Sequence, residues 1–131
     1  MRFDETPYAK NLKMNDDVYK LRRRVIELIY EVREIKKLPR ITVRITDDYK
    51  NVLGIGRLYK NIIWIPKKGV NQSKSELRYT VYHEILHTVF GVGHHEGDKL
   101  MGSIHNKGLS KKEIQERFLY WANKAERGEK V

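Results

Sequence analysis

The sequence predicts a single α/β domain of the α+β type over residues 1–131, with a backing helix, a small twisted mixed sheet of three or more strands, a central helix and a C-terminal helix. Three observations lead there. A length of 131 residues suits one hydrophobic core and is too short for two independent ones. Helical spacing of apolar residues near both ends brackets a segment with the period of two that marks half-buried strands. A further helical segment, ending near Phe90, carries two apolar stripes instead of one and so belongs at the centre of the fold.

Taken in order, residues 1–14 show no clean period and contain Pro7, which suggests an arm or irregular strand packed through Phe3 and Tyr8. From Asp16 onward, Val18, Leu21, Val25, Leu28, Val32 and Ile35 recur at steps of three and four, with Asn15 or Asp16 as a cap and Pro39 as a stop. Arg22, Arg23, Arg24, Glu27, Glu31 and Glu34 form the outer face of this helix, where opposite charges four apart support a solvated surface. Ile41, Val43 and Ile45 alternate with Thr42, Arg44 and Thr46 as a strand. Val52 to Tyr59 and Ile62 to Ile65 form a hairpin around Lys60-Asn61, Asn being a residue that tolerates positive φ. Gly54 and Gly56 mark either a bulge or a close approach of another backbone. Ser73 with Glu76 makes a capping box for the central helix, along which Leu77, Val81, Ile85 and Val89 form one stripe and Tyr82, Leu86 and Phe90 the other. A second capping box, Ser110 with Glu113, opens a last amphipathic helix through Ile114, Phe118, Trp121 and Ala125, ended near Gly128.

Composition narrows the chemistry. Without cysteine there is neither a disulfide framework nor a thiolate metal site, so a transition metal must be held by His, Asp or Glu. No apolar leader and no long apolar run is present, which points to a soluble, cytoplasmic protein with no membrane contact. A net charge of +10 would suit a polyanion such as nucleic acid, but the 27 basic residues are scattered among 17 acidic ones, the pattern of a solvated surface.

The central helix contains His83-Glu84-Ile85-Leu86-His87, the H-E-x-x-H pattern. Residues i and i+4 are separated by about 400° of helical rotation, so both imidazoles leave one face and can share a tetrahedral ion. Glu84, about 100° away from His83, is near such an ion without being obliged to ligate it, which is where a general base acting on a metal-activated water belongs. A buried polar trio between two apolar stripes would otherwise cost several kcal/mol, and Zn2+ removes that cost. A catalytic zinc takes three protein ligands, so a third is required. His94 is the favoured candidate, because Gly91 and Gly93 allow the chain to turn back; His95, then Glu96 or Asp98, are the alternatives.

Over residues 79–116 these features resemble the metzincin clan of zinc peptidases, in its matrixin-like and snapalysin-like branches. Residues 83–94 read H-E-I-L-H-T-V-F-G-V-G-H against the clan's H-E-x-x-H-x-x-G-x-x-H, with one extra residue before Gly91, and Leu100-Met101-Gly102 looks like its methionine-containing turn. The resemblance implies a zincin-like fold, an endopeptidase with His83, His87 and His94 on Zn2+ and Glu84 as catalytic base, and a peptide substrate laid along residues near Gly54 to Arg57; the chain is expected to act as a monomer. Three rivals remain. A SprT-like protease acting on DNA-attached proteins would use the positive charge; a YbeY-like endoribonuclease has a similar three-histidine site but lacks the acid at Glu84; a non-catalytic module with structural zinc would need a fourth ligand, such as His95 or His105.

Overall fold

The computed structural model describes the backbone of residues 5–46, 61–104 and 108–131, and side chains from residue 16 onward. Within these residues the protein is a mixed α/β fold: helix α1 (Glu5–Arg33), strands β1 (Thr42–Thr46) and β2 (Ile62–Pro66), a 3-10 turn (Lys67–Asn71), helix α2 (Lys74–Thr88) and helix α3 (Lys111–Glu126). None of these helices is long and apolar enough to cross a membrane.

Helix α1 corrects the expectation of an irregular arm and of a cap at Asn15 or Asp16. It begins at Glu5 and runs 29 residues, about 43 Å at 1.5 Å per residue. Pro7 falls in its first turn, where a missing N–H breaks no helical bond. Ala9, Lys10, Leu12, Lys13 and Met14 are strong helix formers that carry the turn forward. Asp16 is interior to the helix and pairs with Lys20 one turn on at 3.2 Å. The inward stripe is as the spacing requires, with Leu21, Val25, Leu28, Ile29 and Val32 all buried.

Strands β1 and β2 are parallel, in register Thr42 with Ile62 through Thr46 with Pro66, and bury Val43, Ile63 and Ile65. Parallel neighbours need a crossover of about a dozen residues or more, and residues 47–61 have that length. Asn61, at the entrance to β2, has φ of +67° as its residue type allows. The expected strand Val52 to Tyr59, and with it the hairpin, the third strand and the region near Gly54 to Arg57, lies outside the described residues.

Helix α2 is the axis of the core. Both capping boxes form, Ser73 with Glu76 on α2 and Ser110 with Glu113 on α3. Leu77, Tyr79, Val81, Tyr82, Ile85 and Leu86 are buried, so α2 is covered on more than one side, by α1, β2 and α3. The Tyr82 ring meets Phe118 of α3 edge-on at 5.3 Å.

A single carboxylate ties the three helices together. Glu31 of α1 accepts a fork from Arg78 of α2 at 2.8 and 2.9 Å and the Tyr82 hydroxyl at 2.7 Å, with Lys111 at 3.7 Å. Burial pushes its pKa up, but the bonds from Arg78 and Tyr82 outweigh burial and hold it below its ordinary value of 4.5. A carboxyl with a depressed folded pKa contributes stability above its unfolded pKa and loses it as pH falls through the folded one. Glu31→Gln should therefore be about 1–3 kcal/mol less stable at pH 7 and lose less stability than the parent between pH 5 and 3. Urea unfolding across that range measures it, and parallel pH curves would count against this role for Glu31.

Candidate metal centre

The last two turns of α2 present His83 and His87 from one face, as four-residue spacing requires. The helix ends at Thr88, and Gly91, at φ +69°, reverses the chain. The Val92 N–H then returns to the Leu86 carbonyl at 2.9 Å, which carries His94 back toward the other two imidazoles. His83 is buried, His87 half-buried and His94 exposed, so the cluster has a buried floor and an open side.

The three Nε2 atoms form a nearly equilateral triangle, with sides of 3.0 Å from His87 to His83, 3.1 Å from His87 to His94 and 3.3 Å from His94 to His83. Three vertices of a tetrahedron around an ion with bonds of about 2.0–2.1 Å are about 3.3–3.4 Å apart, close to this triangle. Tautomers follow from the other ring nitrogens. Nδ1 of His83 lies 2.7 Å from the Leu100 carbonyl and Nδ1 of His87 lies 2.6 Å from the Val92 carbonyl. A carbonyl can only accept, so both Nδ1 atoms carry hydrogen, and in the neutral rings Nε2 of each is the atom left with a lone pair to give an ion. That donor set fits a cation bound by imidazole.

Among the described residues His83, His87 and His94 are the group whose ligand atoms all lie within 4.8 Å of one another. No family model, curated protein or solved structure matches the chain.

The alternatives to His94 have other occupations. Nε2 of His95 donates to the Val131 main-chain oxygen at 2.7 Å, and its ring stacks on Trp121 with centroids 4.1 Å apart. The Glu96 carboxylate accepts from the Ser103 hydroxyl. Asp98 takes the N–H groups of Leu100 and Met101 at 2.9 and 2.7 Å on one oxygen and Arg117 on the other. Burial pushes the Asp98 carboxyl up, but the Met101 N–H, the Arg117 guanidinium and the Leu100 N–H outweigh it and keep its pKa below the ordinary value. His105 lies outside the described residues.

Glu84 follows His83 directly on the helix and is 7% exposed. Met101 is fully buried in the turn that leads out of the loop, and the residue before it supplies the carbonyl that His83 meets. Sequence reasoning missed two contributors. The Tyr79 hydroxyl donates to the same Leu100 carbonyl at 2.9 Å while its ring stacks on His83, centroids 5.8 Å apart. Asp98, the last of the alternative ligands and otherwise expected only as a nearby polar residue, organises the turn; its place two and three residues ahead of the N–H groups it accepts is the usual spacing of an Asp-initiated turn and was readable.

Proposed function

We propose that the protein is a zinc-dependent endopeptidase in which His83, His87 and His94 hold the metal and Glu84 is the catalytic base. The observation that carries this reading is the triangle of Nε2 atoms with two Nδ1 hydrogens locked onto backbone carbonyls. Zn2+ held there would polarise a scissile carbonyl and lower the pKa of a water toward 7.

The chain's own residues supply the rest. Leu100 and Val92 keep the His83 and His87 rings in the tautomer that offers Nε2 to the ion. A tetrahedral ion held by these three histidines would have one position left for water or substrate, as a catalytic site requires and a closed structural site does not. A Glu84 carboxylate oxygen takes the proton from the attacking water and passes it to the leaving amine nitrogen. This use of an acid beside the first histidine favours peptide hydrolysis over the three-histidine endoribonuclease alternative. The resemblance of residues 79–116 to metzincins adds the same reading from the motif, and the buried Met101 and the returning His94 are compatible with it.

The test is metal content of the purified protein, followed by cleavage of casein and of a single-stranded RNA with and without a chelator. One zinc per chain with chelator-sensitive casein cleavage is the expected result. RNA cleavage alone would replace the peptidase reading, and an absence of zinc would remove it.

A further inference from the structure

His83 is oriented by a carbonyl that belongs to no helix or strand. Leu100 lies in the loop between α2 and α3, so the position of its oxygen depends on what fixes residues 98–102. The Asp98 side chain does most of this. It is 5% exposed, and one oxygen accepts the Leu100 and Met101 N–H groups while the other accepts Nε of Arg117 at 3.0 Å and its Nη2. Backbone bonds close the same turn, from Asp98 N–H to the His95 carbonyl at 3.0 Å, from Gly102 N–H to the Asp98 carbonyl at 3.1 Å and from His95 N–H to the Met101 carbonyl at 2.7 Å. A Cβ at Gly102 would fall 2.8 Å from the Asp98 carbonyl oxygen, so the turn is drawn too tight for any larger residue there.

Both carboxylate oxygens of Asp98 are thus occupied by the turn and by α3, which leaves it neither a ligand nor a proton carrier. We propose that Asp98 is a positioning residue of the metal centre: it holds the Leu100 carbonyl against Nδ1 of His83, and Arg117 ties that carboxylate to α3. The proposal rests on the reading of the three histidines as a metal site. Residues that orient a ligand imidazole typically contribute 10–100-fold to metal affinity. Asp98 acts through one intervening residue, which puts its expected contribution at about tenfold.

The experiment is Zn2+ affinity by competition with a chromophoric chelator, together with the visible spectrum of the Co2+-substituted protein, on the parent, His83→Ala, Asp98→Ala, Arg117→Gln and Lys36→Ala. Lys36 bonds Asn123 at 2.7 Å and Glu126 near the far end of α3, so its loss disturbs that helix without touching the turn. Circular dichroism first establishes which variants fold. Asp98→Ala should bind Zn2+ about tenfold more weakly and change the Co2+ spectrum, Arg117→Gln should shift both in the same direction by less, and Lys36→Ala should leave both unchanged. A folded Asp98→Ala protein with the parent's affinity and spectrum overturns the proposal while a weakened His83→Ala leaves the metal reading standing. Should Asp98→Ala not fold, Arg117→Gln decides by the same two readouts. A parent protein that takes up no Zn2+ overturns both.

Discussion

Replacing Glu84 with Gln should lower casein cleavage by about 10²–10⁴-fold and leave zinc stoichiometry and affinity at the parent's values. The amide keeps the shape and polarity of the carboxylate at a position that is only 7% exposed, so the helix and its neighbours have little reason to move. It cannot take a proton from water, and the proton transfer is the step assigned to this residue. The two readouts separate the possible failures. Unchanged cleavage means that another group acts as base, whereas loss of zinc means that Glu84 helps to hold the ion.

His94→Ala should reduce zinc affinity on the order of 10²–10⁴-fold, since structural zinc sites bind with about 10–16 kcal/mol spread over three or four ligands. The cost to the metal-free fold should be small, because His94 is exposed and leaves no buried cavity when truncated. Thermal unfolding distinguishes the two effects. Zinc at a hundred times its dissociation constant should stabilise the parent by about 2.7 kcal/mol, and the same zinc concentration should raise the variant's midpoint hardly at all. His95→Ala serves as the contrast: its ring is engaged with Trp121 and Val131, and zinc should stabilise that variant as it does the parent. The reverse pattern, with His95→Ala insensitive to zinc, would reassign the third ligand.

The parts of the fold legible in the sequence are those whose signal is local. Ser73 with Glu76 and Ser110 with Glu113 each place a helix start, and both boxes form as written. The double stripe on α2 predicts its central burial because a helix cannot hide two faces in any other way. The four-residue spacing of His83 and His87 fixes their common face, and Gly91 and Gly93 show that the chain can return. Other features depend on distant partners. The start of α1 is obscured because Pro7 and Asn15-Asp16-Asp17 have the composition of breakers and caps, and only the helical context around them decides otherwise. A period of two identifies Thr42–Thr46 as a strand but cannot say that its neighbour is Ile62–Pro66 or that the two run parallel. His94 and His95 are the same residue type side by side. What sets them apart is Trp121 on α3 and Val131 beyond it, neither of which any motif around residue 94 contains.

The Val131 main-chain oxygen, which accepts from the Gly93 N–H at 3.0 Å and from His95, implies an order of assembly for the three imidazoles. Two of the three imidazoles are four residues apart on one helix and are aligned as soon as that helix forms, in the time of a local event. The third lies on a loop that is turned back by the local bond from the Val92 N–H to the Leu86 carbonyl and is held on its other side by Val131, more than thirty residues further along, so its final seating depends in part on a long-range closure. An ion encountered early would therefore meet a loose two-point clasp, and one encountered late a finished three-point seat. A metal bound there would in that sense act as a timer for the chain: its tight capture would mark the docking of the last helix and of Val131.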